Sequence, residues 1–208
     1  METEHARSLL AILDDDRGVQ SALRDLIEAE GMSTLCFDSA EQFLDSRARR
    51  QASCLIADIG MPGMSGIELQ ARLRAEQCAI PIIFITARGD IPLAVSAMKE
   101  GASDFLAKPF EASVFLAAVQ RALEKGRNSR WRALEQADLL LRFRALTPRE
   151  REVLRLVVSG LMNKQAAAEL GITEYTVQVH RGHVMRKMRA DSFASLVRMA
   201  ERLSPNGP

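Results

Sequence analysis

Cysteine is scarce in this 208-residue chain: there are three, Cys36, Cys54 and Cys78, an odd number, widely spaced and without a C-x-x-C pair. That pattern argues against a disulfide framework and fits reduced, mostly buried thiols of a cytosolic protein. Long hydrophobic runs are missing too, since none approaches the roughly 20 residues needed to span a bilayer. The first residues, Met1-Glu2-Thr3-Glu4-His5, are acidic and polar, which does not read as a secretory signal. The expectation is a soluble, cytoplasmic protein with no membrane partner. Net charge is also nearly absent, at +1, but the balance hides an asymmetry. Residues 1–125 carry 13 Lys/Arg and 19 Asp/Glu, whereas residues 126–208 carry 15 and 8. Opposed halves predict two domains with different partners, the basic one a candidate for nucleic acid.

What the first half does contain is alternation. Short apolar runs at Ser8–Leu13, Thr34–Phe37, Cys54–Ala57, Pro81–Ile85 and Asp104–Ala107 read as strands. Between them lie helical patterns, such as Val19, Leu23, Leu26 and Ile27 before Gly31. Five strands alternating with five helices predict a doubly wound α/β domain with a five-stranded parallel sheet. The strands end in polar residues: Asp14 and Asp15, Asp58, Thr86 and Lys108. In a parallel sheet all those ends lie on one edge, where such folds place their chemistry. Carboxylates gathered there repel unless a cation neutralises them, and oxygen-only ligands suit Mg²⁺. An Asp beside a lysine and a hydroxyl is equipped for phosphoryl transfer, with the carboxylate attacking and the cations neutralising charge.

Residues 8–125 resemble the receiver domain of two-component response regulators, a CheY-like fold. The resemblance is carried by Leu13-Asp14-Asp15-Asp16, by Asp58 with Met61-Pro62-Gly63-Met64-Ser65-Gly66, by Ile85-Thr86-Ala87 and by Lys108-Pro109-Phe110. It implies that Asp58 is the phosphoacceptor and Asp15 a direct ligand of Mg²⁺ (or Mn²⁺). Asp14 would bind through water, and the Gly60 carbonyl would complete the set. It further implies that Lys108 contacts the phosphoryl group, with a cis bond before Pro109, and that Thr86 and Phe105 form the switch pair. Gly60 and Arg88 look individual to this chain, so phosphoryl lifetime is not inherited with the family. The stretch from Gly89 to Ala102 is similar to the FixJ branch, which implies homodimerisation on phosphorylation through this helix and the next strand.

Gly126-Arg127-Asn128-Ser129-Arg130 reads as a break in the last receiver helix, followed by a helical linker with Trp131, Leu134, Asp138 and Leu141 at three- and four-residue steps. The expected division is a receiver over 1–125, a linker over 126–144 and a second domain over 145–208. In that domain Thr147-Pro148-Arg149-Glu150 is a helix start with a capping box. Asn163 is expected to cap a short second helix, Gly171-Ile172 to turn the chain, and Thr173 to cap a third. Val177, Val184 and Met188 would face inward, leaving Gln178, Arg181, Arg186 and Arg189 outside. Helix, tight turn, helix is the helix-turn-helix pattern.

Residues 145–203 resemble the LuxR/FixJ-type effector domain, an all-α four-helix unit. The resemblance rests on Leu146-Thr147-Pro148-Arg149-Glu150, Gly160-Leu161-Met162-Asn163-Lys164 and Thr173-Glu174-Tyr175-Thr176-Val177-Gln178-Val179-His180-Arg181. By position it implies that Gln178, Val179 and Gly182 face bases, and that Lys164, Thr173, Thr176 and Arg181 contact phosphates, which position rather than specify. Many family members have lysine where this chain has Gln178 or Gly182. His180 is expected to be packed and hydrogen-bonded rather than a metal ligand. The resulting expectation is a phosphorylation-activated transcriptional regulator, not an enzyme, whose partners are a sensor histidine kinase, promoter DNA and RNA polymerase. Two rivals compete with it. A phosphatase of the haloacid-dehalogenase type would need a D-x-D run, but Ile59 and Gly60 follow Asp58. A phosphate-independent DNA-binding regulator with a silent receiver would not need the full set of Asp14, Asp15, Asp58, Thr86 and Lys108.

Overall fold

A computed structural model of the chain describes residues 8–87 and 91–203. Arg88, Gly89 and Asp90, where part of the individual and dimer-face readings fell, lie outside the described residues. The chain divides into two compact units, 1–130 and 131–208, and the division falls within one helix.

The first unit is built on five parallel strands: Leu9–Leu13 (β1), Ser33–Phe37 (β2), Cys54–Asp58 (β3), Ile82–Thr86 (β4) and Asp104–Ala107 (β5), in the order β2-β1-β3-β4-β5. Alternate residues of a strand face opposite sides, and the core obeys that rule. Ala11, Leu13, Leu55, Ala57 and Phe84 enter one apolar layer, where Phe43, Leu69 and Leu73 cover them. Leu10, Ile12, Cys54, Ile56, Ile83 and Ile85 enter the other, under Leu23, Ile27, Phe115 and Val119. Both faces are dry, so β3 and β4 read as unbroken apolar runs rather than alternating ones. Each fully buried Leu, Ile or Phe contributes about 1.5–3 kcal/mol of transfer free energy. Cys54 is completely buried, and that burial pushes its thiol up to about 12, so it stays protonated.

The covering helices are Arg17–Ala29 (α1), Ala40–Asp45 (α2), Ala48–Gln51 (α3), Gly66–Ala75 (α4), Ile91–Lys99 (α5) and Ala112–Arg144 (α6). Ser39 and Ser65 cap α2 and α4, the latter in a full capping box with Glu68. The short α3 has no sequence signal, being a single turn of Ala-Arg-Arg-Gln. The expected break at 126–130 does not occur, because α6 runs through it without interruption. Gly126 is small for a tertiary reason: a Cβ there would stand 2.7 Å from Pro81 Cγ. Arg130 then donates from Nη2 to the Ala52 carbonyl at 2.9 Å, holding the helix on the unit beyond the glycine.

The second unit contains Pro148–Val158 (α7), Asn163–Leu170 (α8), Glu174–Met188 (α9) and Phe193–Leu203 (α10). Thr147 and Glu150 form the expected capping box on α7, and Thr173 caps α9. Asn163 does not cap α8. It is the first helical residue, and the preceding Met162 N–H donates to Gln165 Oε1 at 2.9 Å. Gly171 closes α8 in the left-handed conformation, φ 64°, which glycine adopts without strain. Val177, Val184 and Met188 are buried as expected.

Candidate functional site

The strand ends of the first unit bring a lysine between two carboxylates. Leu13 of β1 is in register with Ala57 of β3, so Asp14 and Asp58 leave adjacent strands side by side. Lys108, directly after β5, donates from Nζ to Asp14 Oδ2 at 2.7 Å and to Asp58 Oδ1 at 2.9 Å. Its own N–H donates to the Thr86 carbonyl at 2.7 Å, which locks the lysine to the end of β4. Asp58 Oδ2 accepts from the Gly60 N–H at 2.6 Å. Asp14 is 1% exposed, Asp58 9% and Thr86 6%. Lys108 is followed by a cis bond to Pro109, as the resemblance implied. Phe105 is half-buried against the apolar layer that contains Phe84, its register partner on β4.

The three acids of the triplet take three different roles. Asp14 is buried in the site, and its Oδ1 accepts from the Asp16 N–H at 2.9 Å. Asp16 caps α1, accepting from Gly18 N–H at 2.7 Å and Val19 N–H at 3.3 Å. Asp15 is exposed. The expected convergence of three carboxylates is therefore corrected: among the described residues no three His, Cys, Asp or Glu side chains are grouped to hold a metal. An ammonium stands between two of them instead. Burial works against the charge on Lys108, but the hydrogen bonds it donates to Asp14 and Asp58 prevail and raise its pKa above the ordinary lysine value. The candidate donors, the carboxylates of Asp14, Asp15 and Asp58 and the Gly60 carbonyl, are all oxygens, the chemistry that fits a hard divalent cation.

The loop after Asp58 is held from both sides. Gly66 must be glycine, since a Cβ would lie 2.7 Å from the Asp58 carbonyl oxygen and 3.0 Å from Phe84 Cε1. Glu41 of α2 accepts from the Met64 N–H at 3.1 Å. Its own backbone N–H and that of Met64 hold its carboxyl below the usual range.

In the second unit the candidate interface is the outer face of α9. Gln178, Val179, Gly182 and Arg186 are exposed there, and Lys164 is exposed on α8. A Cβ at Gly182 would meet nothing within 4 Å, so its neighbourhood is open. Thr173 and Thr176 lie at the start of α9 with their hydroxyls 2.8 Å apart. Arg181 is not free: Nη1 donates to Asn163 Oδ1 at 3.1 Å, and the guanidinium stacks 4.8 Å from the Phe193 ring centroid. Sequence reasoning passed over Tyr175, 75% exposed one helical turn before Gln178 and Val179. Its signal was available, since 175, 178, 179 and 182 share one helix face. His180 is packed, but its Nδ1 is buried without a hydrogen-bond partner, contrary to expectation. Behind α9, buried Glu150 accepts from Lys187 Nζ at 2.7 Å. Burial opposes its charge, yet Lys187 and the Thr147 N–H hold its carboxyl below the usual range.

Residues 10–120 match the family model of the response regulator receiver domain, and residues 144–200 match that of the bacterial regulatory proteins of the luxR family. The chain belongs to the response regulators. It is 46% identical to Nodulation protein W of Bradyrhizobium diazoefficiens, over 95% of this chain and 87% of that one. It is 40% identical to Transcriptional regulatory protein FixJ of the same organism, over 92% of this chain and 93% of that one. A solved structure of the response regulator StyR matches with a TM-score of 0.83 and 47% identity, covering 94% of this chain and 98% of that one. This response regulator is thus a two-component transcriptional regulator with a CheY-like receiver and a LuxR-type DNA-binding domain. Among the described residues no helix is long and apolar enough to cross a membrane.

Proposed function

We propose that Asp58 accepts a phosphoryl group from the phosphohistidine of a sensor kinase, and that this switches the DNA-binding domain on. The observation that carries the reading is the Lys108 ammonium held at 2.7 and 2.9 Å between buried Asp14 and Asp58. In the transfer an oxygen of Asp58 bonds to phosphorus, the P–N bond breaks, and the imidazole of the kinase keeps the electron pair. Lys108 neutralises charge on the transferring group, and the Gly60 N–H orients the carboxylate. Thr86 then hydrogen-bonds the phosphoryl oxygens, and the Phe105 ring follows it inward. Asp15, Asp58 and the Gly60 carbonyl would hold Mg²⁺ (or Mn²⁺), with Asp14 acting through water; the ion would supply further neutralisation of the phosphoryl charge. No chemistry on a separate substrate is proposed, only self-phosphorylation and autodephosphorylation at Asp58.

The output is a homodimer on promoter DNA in the cytoplasm, working with RNA polymerase. The α5 face supports the pairing, because Ile91, Val95 and Met98 are exposed apolar residues one helical turn apart. On DNA, Gln178, Val179 and Gly182 face the base edges, while Lys164, Thr173, Thr176 and Arg186 contact phosphates. The test is Asp58→Asn, followed by transfer from a labelled histidine kinase. Phosphotransfer should be abolished, and normal labelling of the variant would overturn the assignment.

A further inference from the structure

We propose that Gln20 is a positioning residue of the phosphoryl pocket, setting how tightly the acidic loop takes a divalent cation; this rests on the reading of Asp58 and its neighbours given above. Gln20 lies on the inner side of α1 and is 5% exposed. Its Nε2 donates to three oxygens: the Asp14 carbonyl at 2.6 Å, Asp38 Oδ1 at 3.0 Å and the Phe37 carbonyl at 3.2 Å. Two N–H bonds serve three acceptors, so one is shared. Burying an amide is unfavourable unless it is hydrogen-bonded, and a leucine would fill the same place without that demand. The amide is satisfied here by the ends of β1 and β2, the two segments that frame the acidic loop.

The short bond to the Asp14 carbonyl is the informative one. A carbonyl fixes the plane of its peptide, and this peptide joins Asp14 to Asp15. Its orientation therefore sets the direction in which Asp15 leaves the strand. Asp14 is restrained in other ways as well, through its N–H to the Phe37 carbonyl at 3.3 Å and its Oδ1 to the Asp16 N–H. None of those bonds holds the Asp14 carbonyl. Gln20 alone among the described side chains grips it. Without that grip Asp14 keeps its place beside Lys108 while Asp15, the exposed member, loses its preset direction. Partners that orient metal ligands in this way change metal affinity about 10- to 100-fold when removed.

The experiment is calorimetric titration of Mg²⁺ into the full-length protein and its Gln20→Ala, Gln20→Arg and Asp15→Asn variants. Circular dichroism melting without Mg²⁺ reports the fold of each. Gln20→Ala should weaken Mg²⁺ binding about 10- to 100-fold. Gln20→Arg, which keeps N–H donors with enough reach, should recover most of it, and Asp15→Asn should abolish it. A purely structural role would lower the melting temperature and leave the Mg²⁺ affinity unmoved, which overturns the inference. Should Gln20→Ala fail to fold, Gln20→Asn keeps the amide but not its reach and must weaken binding likewise; unchanged affinity there overturns the inference too. If Asp15→Asn abolishes binding but the Gln20 variants do not alter it, only the role of Gln20 falls. If Asp15→Asn binds Mg²⁺ as the parent does, the reading of the pocket itself falls.

Discussion

At the strand ends of the receiver, Asp14 and Asp58 are buried and share one ammonium, whereas on α9 Gln178, Val179 and Gly182 face solvent. The contrast extends to their neighbours. Both buried carboxylates are already held: Asp58 by Lys108 and the Gly60 N–H, and Asp14 by Lys108 and the Asp16 N–H. On α9 the groups that are held are Arg181, by Asn163 of α8, and Lys187, by Glu150 of α7, while the exposed side chains at 178 and 179 carry no such bond among the described residues. Phosphoryl chemistry gains when charges are placed before the reacting group arrives. Groove reading needs side chains free to meet base edges, on a helix whose own position is fixed. One unit spends its polar bonds in the site, the other behind it.

The largest break in that comparison should come from Lys108→Met. It leaves two buried carboxylates without their shared cation and should lower the receiver's unfolding free energy by about 2 kcal/mol at pH 7, read as a shift in urea midpoint. The sign with pH is fixed by the raised Lys108 pKa. The lysine's contribution is fully present below the ordinary lysine value of about 10.4 and fades as pH rises through the higher folded value. Parent and variant should therefore converge at strongly alkaline pH, and a gap that persisted there would contradict the ion-pair account.

A second experiment separates readers from supports on α9. Gln178→Ala should relax preference at one base position, by about 1–2 kcal/mol. Arg186→Ala should weaken all DNA alike and reduce the salt slope by about one. Arg181→Ala should instead lower the melting temperature of the second unit, through loss of Asn163 and Phe193, at a cost of about 1 kcal/mol. A salt slope reduced by Arg181→Ala as much as by Arg186→Ala would return Arg181 to the phosphate contacts.

The smallest effect concerns α6. Helix propensity alone makes Gly126→Ala stabilising by about 1 kcal/mol. The 2.7 Å approach to Pro81 Cγ opposes it, so the variant should be neutral to about 1 kcal/mol less stable. A clear gain in receiver melting temperature would show that Pro81 gives way easily.

The receiver pocket was legible because parallel strands align their ends. Once five apolar runs were seen, Asp14, Asp58, Thr86 and Lys108 had to share an edge. The capping box at Thr147 was equally open to reading, being local in sequence. What escaped was set by distant contacts. Gly126 looked like a helix breaker because Pro81, its reason for being small, is remote in the chain. Asn163 looked like a cap, but its oxygen serves Arg181, 18 residues on. Gln20 sat silently in an apolar pattern, since nothing local reveals that its amide meets Asp14 and Phe37. Asp15 and Asp14 were indistinguishable as letters; the fold buries one and exposes the other.

The lysine between Asp14 and Asp58 has a property that no dissolved cation shares: it cannot be diluted away. Its local concentration is set by the chain, through β5 and the Thr86 carbonyl, and not by the medium. A divalent ion entering this pocket meets a resident competitor whose supply is constant. The receiver's resting charge balance should accordingly be the same in dilute and in concentrated salt, while the basic surface of its partner unit weakens for DNA as salt rises. Within one chain, the resting ion pair of the input is supplied by the chain itself, while the basic surface of the output answers to the salt around it.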